Sequence, residues 1–184
     1  MQQGPDQPDA KPGKSSPGFG RFEDDMLALL PQLRRYSRSL TRSDTDSEDL
    51  LQDCVETALA RRGQWHGVNL KAWTLAIMTN LYRNNHRFTR RHPEVDIEEA
   101  GDLVAPTAAD DPLERDRLKT ALDTLNAEYR AVLMLVVLEG YSYQEVANLL
   151  DVPLGTVMSR LSRARERLRE TLAQSNIISL RRPR

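Results

Sequence analysis

The segment from Ser142 to Leu168, SYQEVANLLDVPLGTVMSRLSRARERL, decides the fold of this chain. Ser142 and Glu145 have the spacing of a capping box, in which each side chain pairs with a backbone N–H at a helix start. Pro153 ends this helix because proline cannot donate to the helix ladder, and it also suits the first turn of a new helix. The pattern predicts two short helices joined by a tight turn, the second beginning near Pro153 or Leu154.

The second helix of this pair has one apolar and one polar face. Its apolar residues repeat at steps of four, three and four, which is one buried stripe of an α-helix, at Val157, Leu161, Ala164 and Leu168. The opposite face carries small hydroxyl residues and arginines, namely Thr156, Ser159, Arg160, Ser162, Arg163, Arg165 and Arg167. Such a face is typical of a helix that reads the major groove of DNA, although a solvated bundle helix has a similar composition. The capping box, turn and arginine face together favour DNA binding.

Charge is segregated along the 184 residues, although the formal net charge is only −1. Residues 83–92 contain four arginines and no acid, and residues 154–170 contain five arginines and two glutamates. Between them, residues 94–116 contain nine acids and one arginine. A net charge near zero argues against a protein that binds nucleic acid through positive charge over its whole surface. Two separate basic segments instead indicate two basic surfaces.

The composition disfavours a secreted protein, a membrane protein and an enzyme. The single cysteine, Cys54, excludes an intrachain disulfide and suits a reducing cytoplasm. No apolar stretch approaches the eighteen or so residues that cross a bilayer, so no membrane insertion is expected. The histidines at 66, 86 and 92 lack metal-site or triad spacing, and there is no phosphate-binding glycine loop. We therefore expect a cytoplasmic, non-catalytic protein without a metal or cofactor.

Periodicity predicts an all-α protein with two small helical domains and an acidic flexible linker. The predicted parts are a disordered tail at 1–20, a helical domain at 21–92, the linker at 93–112, a four-helix domain with the helix-turn-helix at 113–173, and a basic tail at 174–184. In the first domain we expect Pro31 near the start of the main helix, and a capping box of Thr45 and Glu48 opening a helix over about 46–61. The apolar run at 131–138 is expected to be a buried helix.

The remaining two helices of the first domain carry opposite charge. The helix over about 46–61 has an acidic stripe, which is either a docking surface for a basic partner or a solvated face, at Asp49, Gln52, Asp53 and Glu56. The next helix, with the apolar residues Leu70, Trp73, Ile77 and Leu81, has a basic face of Asn80, Arg83, Asn84, Arg87 and Arg91. Arginine neutralises phosphates and asparagine pairs with base edges. With Trp65 in the preceding glycine-containing loop at 63–69 as a stacking platform, this face suits melted DNA.

Together these segments resemble the extracytoplasmic-function (ECF) sigma factors of bacterial RNA polymerase. The residues that carry the resemblance are SEDLLQDCVETAL (47–59), NLKAWTLAIMTNLYRNNHRFTRR (69–91) and the block at 125–172 that contains DVPLGTV and SRLSRAR. The resemblance implies two helical promoter-binding domains and a chain that directs promoter-specific initiation by core polymerase, of the kind that serves stress-response regulons. It also implies control by an anti-sigma factor.

The resemblance assigns roles to individual residues. It implies that the acidic stripe, Asp49, Gln52, Asp53 and Glu56, docks on the clamp helices of the largest polymerase subunit. It implies that the −10 promoter element is engaged by Trp65, Asn80, Arg83, Asn84 and Arg87. It implies that the −35 element is contacted by Gly155, Thr156, Ser159, Arg160 and Arg163. The chain has Met158 where the family often has lysine.

Two other functions fit part of the pattern. A stand-alone helix-turn-helix repressor or activator would use the first domain for dimerisation or sensing. A sigma-like decoy would sequester an anti-sigma factor without starting transcription, and it would be expected to lose the arginines that the second helix keeps.

Overall fold

A computed structural model of the chain describes residues 19–91 and 112–179. Within these ranges the chain is entirely helical, apart from turns and loops, which confirms the predicted all-α class. The helices are α1 (Phe19–Leu40), α2 (Asp44–Ala60), α3 (Leu70–Arg91), α4 (Pro112–Asp123), α5 (Ala127–Val137), α6 (Tyr143–Leu150) and α7 (Leu154–Ser179), and a 3₁₀ turn lies at Arg62–Gln64. We call α1–α3 the first half and α4–α7 the second half.

The predicted boundaries need small corrections, and most of the predicted tails and linker lies outside the described residues. Phe19 and Gly20, assigned to the first tail, belong to α1, and residues 174–179, assigned to the last tail, belong to α7. Pro112, assigned to the linker, opens α4, because a proline at the first helical position loses only an N–H that has no partner in the helix.

Two expectations about the starts of α1 and α2 are wrong. Pro31 lies inside α1 rather than near its start. The helix extends further back because Phe22 and Met26 are each only 3% exposed, and their burial offsets a cost of about 3 kcal/mol for an interior proline. The cap of α2 is Ser43, whose hydroxyl accepts from the backbone N–H of Asp46 at 3.1 Å, instead of Thr45.

The core of the first half lies between α1, α2 and α3. Leu33, Tyr36 and Leu40 of α1 are completely buried, as are Leu75 and Met78 of α3. The predicted apolar stripe of α3 is confirmed in part: Leu70 and Ile77 are buried, whereas Trp73 and Leu81 are only partly so. The innermost side chains of the helix are Thr74, Leu75, Met78, Thr79 and Tyr82. The helix contacts α1 and α2 and also the second half, so burial is not confined to one narrow stripe.

The second half contains the predicted helix-turn-helix. α5 is a buried helix, as expected for its apolar run, and Asn126 caps it by accepting from Tyr129 N–H at 2.9 Å. At the start of α6 both hydrogen bonds of the Ser142–Glu145 capping box are present. The turn to α7 passes through Asp151, which has a left-handed φ of 51°. Val157, Leu161 and Ala164 are at most 1% exposed and Leu168 is partly buried against the core, which confirms the predicted stripe of α7.

The two halves pack directly on each other, with α1 and α3 against α5 and α3 against α6. Arg130 of α5 is 2% exposed and crosses this boundary. Its Nε donates to Ser39 O at 2.8 Å and its Nη2 to Thr41 O at 3.1 Å, while Nη1 pairs with Asp123 at 2.8 Å. A second buried contact joins the fully buried carboxylate of Glu139 to Arg35 and Lys71, at 3.0 and 2.8 Å. We call this packing the closed arrangement.

Candidate docking and nucleic-acid surfaces

The acidic stripe is exposed on α2, as its spacing predicted. Asp49, Gln52, Asp53 and Glu56 all face solvent, whereas Leu50, Leu51, Cys54 and Ala58 are buried on the other side. Within the stripe, Gln52 Nε2 donates to Glu56 Oε1 at 2.9 Å. Burial raises the pKa of the Cys54 thiol to about 12, so this thiol stays protonated at physiological pH.

The stripe borders a groove of about 360 Å³ between α2 and α3. Three aspartates, Asp46, Asp49 and Asp53, line it together with the apolar surfaces of Leu50 and Tyr82, and its wall also includes Thr41, Arg42, Asn85 and His86. Burial raises the pKa of Tyr82 to about 12, against the opposing effect of Arg130, so its phenol is neutral at physiological pH. Carboxylates around an apolar floor suit a long basic side chain, whose methylenes can pack while its charged end is paired.

The predicted basic face of α3 is present, but its arginines differ in exposure. Asn80, Asn84 and Arg87 are exposed, whereas the Arg83 side chain is only 14% exposed. Arg83 Nε donates to Glu128 Oε1 at 2.8 Å, and Arg87 Nη2 donates to the same oxygen at 3.3 Å. The side chain of Arg91 lies outside the described part of the chain. Two arginines of this face therefore already have an acidic partner in the second half.

Trp65 lies in the loop before α3, away from the arginines of that helix. Arg83 is thirteen residues beyond Leu70, so about 20 Å of helix separates the two ends. The indole is half-buried, with its ring 5.4 Å from that of Phe22 and its Nε1 donating to Val68 O at 3.3 Å. Part of the predicted stacking platform is thus packed against α1, and the structure does not bring Trp65 together with the rest of the predicted −10 set.

The outer face of α7 is polar and largely exposed. Gly155, Ser159 and Arg163 are exposed and Thr156 is partly so, and a Cβ at Gly155 would meet no described atom within 4 Å. This leaves room for close approach of a partner backbone. Arg163 Nη1 donates to the Tyr129 hydroxyl at 3.4 Å. An exposed apolar residue, Met158, stands on the same surface with 53% of its area accessible.

Arg160 corrects the prediction that every arginine of α7 points into solvent. Its side chain is 20% exposed, and its Nη1 lies 2.9 Å from Glu128 Oε2. The pairing partner, Glu128, was missed by sequence reasoning, as were Arg130 and Glu139. The one available signal for Arg130 and Glu139 was charge at the two ends of an apolar run, because Arg130 directly precedes AVLMLVVL and Glu139 directly follows it.

Comparison with known proteins identifies both halves. A family model described as Sigma-70, region 4 matches residues 115–168, and one described as the Sigma2 domain of PhyR matches residues 26–79. The ECF RNA polymerase sigma factor EcfG of Rhodopseudomonas palustris is 36% identical over 153 residues, covering 80% of this chain and 82% of that protein. The ECF sigma factor SigM of Mycobacterium tuberculosis is 32% identical over 146 residues, covering 79% and 74%.

Solved structures agree with these relatives. The sigma factor RpoE of Bartonella quintana, solved in complex with the anti-sigma factor NepR, is similar with a TM-score of 0.68 and 32% identity, over 84% of this chain and 98% of that one. CnrH, solved with the cytosolic domain of CnrY, gives a TM-score of 0.61 and 25% identity, over 85% and 91%. The fold and the two charged surfaces define a two-part helical transcription factor. More narrowly, the chain belongs to the ECF sigma factors of RNA polymerase and functions in transcription initiation.

Proposed function

We propose that this chain docks on core RNA polymerase through the acidic stripe of α2 and reads promoter DNA with α3 and α7. The observation that supports this most directly is the separation of charge on the folded surface. One helix presents only acids and an amide, at Asp49, Gln52, Asp53 and Glu56, and two others present arginines. A protein that must bind both a basic protein surface and DNA needs these two faces apart.

The docking partner of the stripe is the clamp-helix region of the largest polymerase subunit. The groove beside Asp49 and Asp53 accepts a basic side chain, with Leu50 and Tyr82 forming its apolar floor. Charge-assisted hydrogen bonds to such carboxylates are stronger than neutral ones and also speed association.

Promoter contacts are assigned to the two basic faces. Asn80, Arg83, Asn84 and Arg87, with the exposed edge of Trp65, engage the −10 element. Gly155, Thr156, Ser159, Arg160 and Arg163 engage the −35 element from the major groove, where hydroxyls and arginines pair with base edges and phosphates. The domain limits proposed for these roles are 21–92 and 113–173, adjusted at their ends to the helices described above.

An anti-sigma factor is the proposed regulator, since the similar RpoE structure is a complex with the anti-sigma factor NepR. Leu27 and Val68 of the first half are 63% and 77% exposed and offer apolar contacts to such a partner. We place the chain in the cytoplasm, where polymerase works, and assign it to a stress-response regulon. Among the described helices, none combines the length and apolar character that a bilayer crossing requires.

Reconstituted transcription tests this function. Purified chain and core polymerase are combined on sheared genomic DNA, and transcript 5′ ends are mapped with and without the chain. We expect a small set of new start sites that share two upstream sequence elements. A repressor or activator would instead bind duplex DNA alone and yield no new start site, and a decoy would do neither.

A further inference from the structure

One carboxylate joins the two proposed DNA-reading faces to each other. Glu128 Oε1 accepts from Arg83 and Arg87 of α3, at 2.8 and 3.3 Å. Its other oxygen, Oε2, lies 2.9 Å from Arg160 Nη1 of α7. We call these residues the Glu128 cluster. Residues assigned to opposite ends of the promoter thus share one acidic partner.

Burial makes this sharing incompatible with the assigned DNA contacts. The side chains of Arg83 and Arg160 are 14% and 20% exposed, and that of Glu128 is 23% exposed. A guanidinium that contacts phosphate or a base edge must be accessible from solvent, and here two of the three are covered. Phosphates and Glu128 therefore compete for the same donors.

The ion pair between Glu128 and Arg160 contributes little net free energy to the closed arrangement, so breaking it is easy. Glu128 Oε2 and Arg160 Nη1 are both buried, and neither forms a hydrogen bond of good angle with any described group despite their 2.9 Å separation. A buried ion pair repays its desolvation only when the geometry is good and further hydrogen bonds complete it. Phosphates, which accept several guanidinium hydrogen bonds, offer Arg160 a better partner.

Two other polar contacts between the described parts of the halves use none of the proposed DNA-reading residues. Arg130 pairs with Asp123 and with backbone carbonyls at the end of α1, and Glu139 pairs with Arg35 and Lys71. These contacts hold the closed arrangement without covering either arginine face. Glu128 alone among the described acids takes arginines from both faces.

We propose that Glu128 is an internal inhibitor of DNA binding: in the closed arrangement it occupies Arg83, Arg87 and Arg160, and promoter DNA must displace it. The proposal rests on the DNA-reading roles assigned above. It concerns the free chain, before polymerase binding. The exposed acidic stripe is accessible throughout, so docking on polymerase does not require the cluster to open.

The test compares Glu128→Gln with the wild-type chain in binding to a fluorescein-labelled duplex of about 30 base pairs, by anisotropy at low salt, without polymerase. We expect five- to tenfold tighter binding, the usual range of a modest coupling between sites, and a steeper salt dependence as more phosphates are neutralised. Glu48→Gln is the matched control, since it removes the same charge from an exposed pair with Arg34 inside the first half. Its affinity is expected to stay within twofold of wild type.

A further variant separates failure of this inference from failure of the proposed function. Adding Arg160→Ala to Glu128→Gln is expected to reverse most of the gain in affinity. Equal binding by Glu128→Gln and wild type would overturn the inhibitor role, while transcription by the wild-type holoenzyme would still support the proposed function. A gain that survives the added Arg160→Ala would overturn the DNA role of Arg160 and its part in the inhibition, and would leave Arg83 and Arg87 as the arginines that Glu128 blocks.

If Glu128→Gln does not fold, a distance measurement on the chain that keeps Glu128 still tests the inference. Spin labels on cysteines introduced at the exposed positions Ala60 and Arg169 report the distance between the halves. Native Cys54 is fully buried and should not be labelled. Saturating duplex is expected to lengthen the distance between the labels. An unchanged distance in the DNA-bound chain would overturn the competition between phosphate and Glu128.

Discussion

The acidic stripe and the arginine faces have opposite fates in the closed arrangement. Asp49, Asp53 and Glu56 remain open to solvent, whereas Arg83 and Arg160 are paired across the boundary between the halves. Both surfaces were predicted from helical spacing, and both were expected to be exposed. The difference teaches that a polar residue on the outer face of a helix is exposed only if no other element packs there. Under the proposed roles, polymerase can dock on the open stripe while the arginine faces are still covered.

The largest effect is expected from reversing charge on the open surface. Asp53→Arg combined with Glu56→Arg should reduce association with core polymerase by more than about 100-fold, because like charges placed opposite each other cost several kcal/mol. Co-purification with core enzyme measures it. The control is the same reversal at Asp24 and Asp25, which are exposed on α1.

The buried Cys54 thiol reports whether this variant is folded. It lies on the opposite side of the same helix and is completely buried, so it should resist alkylation in the native chain. Unchanged co-purification of a variant whose Cys54 stays protected would remove the stripe as the docking surface.

The second prediction concerns what keeps the arginine faces closed. Arg130→Met should lower the free energy of unfolding by about 3–5 kcal/mol, because it leaves the carboxylate of Asp123 and two backbone carbonyls without their buried donor. Urea denaturation followed by circular dichroism measures it. Arg34→Met, which breaks an exposed pair with Glu48, should cost no more than about 1 kcal/mol. Equal losses in the two variants would show that the boundary contributes little.

A third variant tests whether Arg160 contacts a base or a phosphate of the −35 element in the proposed open state. With the holoenzyme, Arg160→Ala should weaken recognition of the upstream promoter element by about 1–3 kcal/mol, with the loss concentrated at one base pair. Arg167→Ala is the control on the same helix, since Arg167 is exposed and pairs locally with Glu170. A loss of affinity that is uniform across promoter variants would show that Arg160 contacts a phosphate and does not read a base.

The smallest effect is expected at Met158, which stands among the hydroxyls and arginines of α7. Met158→Lys adds one cation to this face and should strengthen DNA binding of any sequence slightly, with the salt slope rising by about one. Met158→Leu keeps the apolar surface and should leave the slope unchanged. Identical slopes for the two variants would indicate that position 158 points away from phosphate in the complex.

Much of the candidate site was predictable because its signals are local. The Ser142–Glu145 box, the Pro153 break and the stripe of α7 each depend on neighbours within a turn or two, and each was confirmed. The predictions that failed involve competition between local signals, as at the start of α2. There Ser43 and Thr45 are both good caps, and Ser43 is the one used, which lengthens α2 by two residues at its start.

The sequence by itself determined where the helices lie, which helix carries acids and which two carry arginines, because these properties follow from the 3.6-residue period. Only the tertiary structure decided which of those charges are available. Glu128 meets Arg83 at a sequence separation of 45 residues, and Arg130 meets Ser39 at the end of α1 at a separation of 91. Such long-range contacts leave no periodic pattern in the sequence, because they depend on how two helical surfaces pack against each other.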